Sequence, residues 1–241
     1  MNIGLIVAAG RGYRVGGPLP KQYLPLAGQP ILRHTITALT HHPAIDAVQV
    51  LIHPDDQTLY DTATSGLQKL LPVGFGGKER QDSVRLGLEA VAGLTPATVL
   101  IHDAVRPFIA QETISAVLAV LARGSAAIVG VPLADTLKRV ADNRVTGTIS
   151  RAGLWRAQTP QGFRFDDILH AHRLAVRTAP ETDFTDDAMI AEHAGLRVEM
   201  VSGSDDNFKI TTTSDLARAE VLLASRAHGL GLPPDASLPN A

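Results

Sequence analysis

The opening residues, 3–26, hold the densest set of groups in this chain that could handle a phosphate. Residues 3–9 form an unbroken apolar run, which reads as a buried parallel strand because it does not alternate. It leads into a loop carrying Gly10, Gly12, Gly16 and Gly17, punctuated by Pro18 and Pro20, with Arg11, Arg14 and Lys21 in or just after it. Glycines let backbone N–H groups approach an anion closely, and the cations add charge at the same place. Neither common phosphate loop fits. A dinucleotide fingerprint needs a small residue where Val15 stands and a helix where the prolines forbid one. A P-loop needs a Gly-Lys-Ser/Thr ending, which is absent. What remains is a long, irregular basic loop at the carboxyl end of a first strand, where open α/β sheets bind ligands.

Three further groups could share that site. Gly76 and Gly77 lead into Arg80 and Ser83 close to a helix start, where free N–H groups and the macrodipole favour an acceptor or anion; a plain capped helix behind a glycine turn is the alternative. Asp103 follows the apolar residues 97–101 and would point into the crevice. It could hold Mg²⁺, which takes one or two carboxylates and fills its other positions with phosphates and water, or it could cap the next turn with Arg106 as its ion-pair partner. Lys209, read at a strand end, is either a second phosphate clamp or a solvated lysine.

The elements that would position these groups follow from apolar patterning. Residues 47–52, 97–101, 126–131 and 198–201 read as strands. Helices are expected from Pro30 at a first helical position, over 56–66, behind Ser83 with Val84, Leu88 and Val91 on one face, around Ile114 to Leu121, and over about 165–176. Thr185, Asp186 and Asp187 read as a helix N-terminus and Gly195 as a stop, and a further helix is capped near Thr212 or Thr213 with Asp215 in its first turn. Trp155, Phe163 and Phe165 read as core. Residues 135–140 and 144–151 read as a polar hairpin around Asp142-Asn143, packing on a partner subunit or folding back on its own domain.

The 241 residues carry a net charge of −2 and no cysteine. That excludes disulfides, thiolate nucleophiles and cysteine-ligated zinc, and it argues against a general nucleic-acid or membrane binder. The apolar start is too short to span a membrane and lacks a basic n-region, so the expectation is a soluble, cytoplasmic protein. Residues 1–224 read as one domain and 225–241, rich in Pro, Ala and Gly, as a flexible tail. The histidines form no credible metal site.

Together the runs AAGRGYRVGGPLPKQY, GGKERQDSV, HDAVRPF, DTLKR, SRAGLWRAQTPQ and DNFKIT closely resemble the 2-C-methyl-D-erythritol 4-phosphate cytidylyltransferase family, in the right order from residue 3 to about 223. The resemblance implies an α/β, Rossmann-like nucleotidyltransferase fold, mostly parallel with helices on both faces and a protruding hairpin arm at about 134–152. It implies a homodimer through that arm and a Mg²⁺-dependent transfer of the cytidylyl group of CTP to the sugar phosphate. Ala8, Ala9, Gly10, Gly76, Arg80 and Ser83 would hold the cytidine, and Arg14 and Lys21 would stabilise the triphosphate. Asp103, Arg106, Thr136, Arg151, Thr159 and Lys209 would position the sugar phosphate, the arm residues reaching into the partner's site. Three rivals remain: a cytidylyltransferase for another polyol phosphate such as ribitol 5-phosphate, a catalytically silent nucleotide-binding regulator, and a nicotinamide-dependent dehydrogenase, the last disfavoured by the prolines behind the glycine loop.

Overall fold

The computed structural model describes residues 1–11 and 19–227. The order of strands and helices is β1 (Asn2–Ala8), β2 (Pro25–Leu26), β3 (Gln29–Pro30), α1 (Ile31–Thr40), β4 (Ala47–Ile52), α2 (Gln57–Thr64), β5 (Gly74–Phe75), α3 (Arg80–Val91), β6 (Thr98–Asp103), α4 (Gln111–Ala122), β7 (Ala126–Pro132), β8 (Leu137–Ala141), β9 (Arg144–Ile149), β10 (Trp155–Arg164), α5 (Phe165–Thr178), α6 (Asp187–His193), β11 (Val198–Ser202) and α7 (Thr213–Ala227). Seven strands form one sheet in the order β11-β7-β10-β6-β1-β4-β5, parallel except for β10.

The unbroken apolar run of β1 is explained by burial on both faces. Ile6 and Ala8 join one core with Leu32, Ile36 and Leu39 of α1, Tyr60 and Ala63 of α2, and Ile114, Val117 and Leu121 of α4. Ile3 and Leu5 join the other, with Val84, Leu88 and Val91 of α3 and the apolar stripe of α5. A third, smaller cluster docks α7 through Ala219 against Leu26, Ile31, Val105, Phe108 and Ile210. This α/β sheet, mostly parallel and covered on both faces, is the expected architecture.

The chain runs from β1 outward to β4 and β5, then returns to place β6 on the other side of β1. That reversal is a topological switch point, and its crevice lies at the carboxyl ends of β1 and β6. Parallel pairing sets Val7 level with Asp103, so the two strand ends open at one height.

Several details depart from the sequence reading. Residues 155–164 form a strand in the middle of the sheet, antiparallel to both neighbours, where only a lead-in to a helix was expected. The register shifts between Gln158 and Gln161, so Thr159 and Pro160 sit at a bulge, where a proline is tolerated inside a sheet. Trp155, expected in the core, is 39% exposed because it lies where this strand leaves the sheet. Pro30 is extended (ψ 140°) and caps α1, which begins one residue later. Lys209 lies in a loop after β11, held where the Ile210 N–H donates to the Val105 carbonyl (3.0 Å). The last helix runs to Ala227, three residues into the expected tail.

β8 and β9 form their own two-stranded sheet, separate from the main one. Asp142 and Asn143 both have positive φ (48° and 61°), the geometry of a tight hairpin turn. The arm is exposed on both sides, with Val140 at 56% and Val145 at 64%.

Candidate active site

Ala8, Ala9 and Gly10 continue from the end of β1 into the crevice. The buried Gln22 side chain donates to the Ala8 carbonyl (2.7 Å), which fastens the short helical turn at Lys21–Tyr23 to the strand end and sets Lys21 at the rim. These residues wall a cavity of about 340 Å³ together with the first turn of α3, Asp103 and Lys209. Among the described residues four cations line it (Lys21, Lys78, Arg80 and Lys209) against two carboxylates, Glu79 and Asp103. Arg14, Gly12, Gly16, Gly17 and Pro18 lie outside the described residues.

Of the two readings of the start of α3, the capped helix behind a glycine turn is the one present. Glu79 caps the helix and forms a capping box with Asp82, so two carboxylates already occupy its positive end. The Ser83 hydroxyl donates to the Glu79 carbonyl and accepts from the Gly77 N–H, both at 3.0 Å. Gly76 lies against the end of β1: a Cβ there would meet the Ala9 Cβ at 2.2 Å and Ser83 Oγ at 2.6 Å. This corner suits a neutral, polar group such as a nucleobase or ribose better than a phosphate.

Asp103 closes β6 and is shared by two cavities. The second, of about 260 Å³, is also lined by Arg80, Arg106, Thr159 and Lys209. Asp103 Oδ2 is 3.1 Å from Lys209 Nζ and 3.1 Å from Arg106 Nε, and Oδ1 is 3.7 Å from Arg80 Nε. Burial alone would raise its pKa, but Lys209, Arg80 and Arg106 outweigh burial and hold the carboxyl well below the usual range. The ion pair with Arg106 is therefore present, and it does not consume the carboxylate. Among the described residues there is no group of three or more His, Asp or Glu side chains that could hold a metal. One carboxylate with one oxygen less closely paired fits a cation that brings its other ligands with it, as Mg²⁺ does on a triphosphate.

Thr159 is buried in the wall of the second cavity by three contacts. Its hydroxyl accepts from the Asp103 N–H (3.0 Å) and meets His102 Nδ1 (2.9 Å), and its carbonyl accepts from the Asn207 side chain (2.8 Å). His102 is fully buried, and its Nε2 faces the Arg106 carbonyl (3.0 Å). Burial pushes its pKa down to about 4.

Behind Arg80 lies a pair that sequence reasoning placed elsewhere. Asp187, read as part of a helix cap, is fully buried, and its Oδ2 is 2.8 Å from Arg80 Nη1 while Oδ1 is 3.3 Å from His172 Nε2. Asp186 is the cap, accepting from the Met189 N–H (2.9 Å). Thr136 and Arg151 sit exposed on and beside the arm and line neither cavity of this chain. Gln22, His102 and Asn207 stood inside quoted runs without being singled out, Asp187 was read only as part of a helix N-terminus, and His172 carries no local signal for its role here.

A family model described as 2-C-methyl-D-erythritol 4-phosphate cytidylyltransferase matches residues 3–225. A bifunctional enzyme IspD/IspF of Paramagnetospirillum magneticum is 55% identical over 218 residues, 90% of this chain and 56% of that protein. The chain thus spans little more than half the length of such bifunctional relatives. A 2-C-methyl-D-erythritol 4-phosphate cytidylyltransferase of Cereibacter sphaeroides is 45% identical over 223 residues, 92% of this chain and 97% of that one. Among solved structures, a 4-diphosphocytidyl-2C-methyl-D-erythritol synthase of Anaerococcus prevotii superimposes with a TM-score of 0.80 at 27% identity, covering 92% of this chain and 96% of that one.

Proposed function

The chain belongs to the 2-C-methyl-D-erythritol 4-phosphate cytidylyltransferase family, and on that premise we propose that it transfers the cytidylyl group of CTP to 2-C-methyl-D-erythritol 4-phosphate, in the non-mevalonate route to isoprenoids. CTP occupies the larger cavity, with its base and ribose in the Ala8–Ser83 corner, and the acceptor phosphate enters the smaller one. One observation carries the reading: Arg80, Asp103 and Lys209 line both cavities, so one cluster of charge faces donor and acceptor together.

The chemistry suits the residues. The acceptor is a phosphate monoester, mostly doubly ionised at neutral pH. One of its oxygens bonds to the α-phosphorus of CTP while the bond from that phosphorus to the bridging oxygen of the β-phosphate breaks, and pyrophosphate leaves. No general base is required. The barrier is repulsion between two anions, and Lys21, Arg80 and Lys209 lower it by standing where the charge gathers. Asp103 keeps Lys209, Arg80 and Arg106 at fixed positions beside both phosphates. Mg²⁺, held mainly by triphosphate oxygens with Asp103 Oδ1 as its protein ligand, would neutralise charge on the triphosphate. Arg14, by resemblance, acts with Lys21.

The active unit is proposed to be a homodimer. An isolated two-stranded hairpin is marginal in water, and this arm is exposed on both sides. Thr136 and Arg151 flank it, away from this chain's own cavities, as residues would that serve a partner's acceptor site. Cytoplasmic location belongs to the same reading, since both substrates are charged metabolites that one compartment must hold. No helix among the described residues is long and apolar enough to cross a membrane, and no nucleic-acid partner is proposed.

The test is pyrophosphate release with CTP, Mg²⁺ and methylerythritol 4-phosphate, with ribitol 5-phosphate and the other nucleoside triphosphates in parallel. Release confined to CTP and methylerythritol phosphate is the expected result. Release only with ribitol 5-phosphate would keep the chemistry and change the acceptor, and binding of CTP without release would leave a nucleotide-binding regulator.

A further inference from the structure

Lys209 carries its charge at the end of a flexible four-carbon stem, so where its ammonium stands depends on how firmly its backbone is held. The side chains around it alternate between two surfaces, as they do along an extended chain. Asn207 and Lys209 turn toward the site: the Asn207 side chain donates to the Thr159 carbonyl (2.8 Å), and Lys209 Nζ lies 3.1 Å from Asp103 Oδ2. Phe208 and Ile210 turn the other way, into the cluster that docks α7. There α7 grips the segment at several points. The Arg218 guanidinium carbon stands 4.1 Å from the centre of the Phe208 ring, and its Nη2 donates to the Asp205 carbonyl (2.9 Å). Arg226 lies over Phe108 (5.2 Å) and pairs with Asp206 (3.2 Å), and the Phe108 and Phe208 rings are 5.8 Å apart. Asp215 closes the far end by accepting from the Thr211 and Thr212 N–H groups, both at 2.9 Å.

The helix is itself anchored beyond this segment. Glu220 Oε1 accepts from the Ala27 N–H (2.9 Å), and Ala219 is buried in one cluster with Leu26 and Ile31. α7 can therefore serve as a fixed backing for the loop that carries Lys209. We propose that Arg218 is a positioning residue for Lys209: the cation stacked on Phe208 holds the neighbouring lysine backbone against α7 and so sets the reach of its ammonium into the two cavities. Arg218 is exposed and lines neither cavity, so it acts only through what it holds. A cation over an aromatic face is attracted by the ring quadrupole. A shift of about 1 Å in a catalytic group can cost up to about 10²-fold in rate, which is why a contact this far from the phosphates matters. Its consequence for turnover rests on the cytidylyl-transfer reading; its consequence for anion binding does not.

The experiment is a double-variant cycle on pyrophosphate release. Arg218→Met keeps the apolar stem over the ring and removes the cation and its donor. In the parent protein it should lower kcat/KM about tenfold, and Arg218→Lys, which restores a cation, should recover most of that loss. Lys209→Ala should by itself cost about 10²-fold. In the Lys209→Ala background Arg218→Met should change turnover by less than about twofold, because the group it positions is gone. A merely structural role would cost the same factor in both backgrounds. If Arg218→Met costs that same factor with and without Lys209, or costs nothing, or if Arg218→Lys performs no better than Arg218→Met, the proposal is overturned. Calorimetric binding of inorganic triphosphate repeats the cycle without chemistry, and Arg218→Met should weaken it only where Lys209 is present. Such coupling without pyrophosphate release would uphold the role of Arg218 and count against the cytidylyl-transfer reading, so the two failures stay distinct.

Discussion

Arg80 is suspended between two carboxylates of different standing: Nη1 lies 2.8 Å from the buried Asp187, and Nε lies 3.7 Å from Asp103 at the junction of the two cavities. Asp187 is itself backed by His172 at 3.3 Å. The tighter contact is the one that substrate never reaches. Arg80 is therefore fixed from behind and presents its remaining edge to the site, which is the arrangement expected of a cation that must not move as charge develops.

Removing the rear contact should loosen Arg80 while leaving its charge. For Asp187→Asn we expect kcat/KM to fall by about tenfold or more, with the larger share in kcat. Stability should fall by about 3 kcal/mol, because the guanidinium would lose a buried partner; urea unfolding measures it. The pH dependence follows from the same contact. Burial would raise the Asp187 pKa, but Arg80 and His172 overcome that and leave it depressed. A depressed carboxyl contributes stability that is full above its unfolded pKa of about 4 and is lost as pH falls below that value. The variant's acid unfolding limb should accordingly be shallower than that of the parent protein. Superimposable limbs would show that Asp187 is not the group responsible.

Lys21 tests the electrostatic account from the opposite wall. It lines the larger cavity with Lys78, Arg80 and Lys209, and Gln22 beside it anchors the turn to β1. Lys21→Ala in a folded protein should lower turnover on the order of 10²-fold, since one preorganised charge is removed from a site that relies on charge alone. Near-normal pyrophosphate release would end the role assigned to it.

Two glycines that look alike in sequence should behave differently. A Cβ on Gly76 would stand 2.2 Å from the Ala9 Cβ, whereas one on Gly10 would meet nothing within 4 Å among the described residues. Gly76→Ala should therefore force β1 and the α3 corner apart, costing about 1–3 kcal/mol together with CTP affinity. Gly10→Ala should leave the melting temperature within about a degree and change CTP affinity alone. Thermal melts with and without CTP separate the two.

How much of this was legible follows from what each signal depends on. β1, β4, β6 and β7 could be read because strands buried on both faces are continuous apolar runs. The hairpin could be read because Asp142 and Asn143 accept the positive φ its turn demands. β10 could not, since a polar run containing Pro160 argues against a central strand, and only the bulge at Thr159 makes it possible. The cavity residues near the ends of β1 and β6 were visible as motifs. Asp187, His172 and Arg80 were not visible as a group, because they stand on three helices and their partnership exists only after α3, α5 and α6 have packed. Spacing in sequence predicts which face a residue shares; it does not predict that a charge will be buried beside another.

The arm supplies the sharpest test of assembly. Thr136 and Arg151 line neither cavity of their own chain, while Lys21 lines the larger one. If the arm completes a partner's site, each active centre draws Lys21 from one chain and Arg151 from the other. Arg151→Ala and Lys21→Ala homodimers should then both be nearly inactive. In a mixed dimer of the two variants, one centre would carry both defects and the other neither. Co-expressing the variants under separate tags and purifying the doubly tagged species should recover about half the activity of the parent dimer, the expectation for one intact centre in two. If both residues instead served the same chain, every centre in the mixed dimer would carry one defect, and activity would stay near that of the single variants. Val145→Asp, placed on the exposed apolar side of the arm, should independently shift the protein toward monomer in sedimentation and lower turnover in proportion.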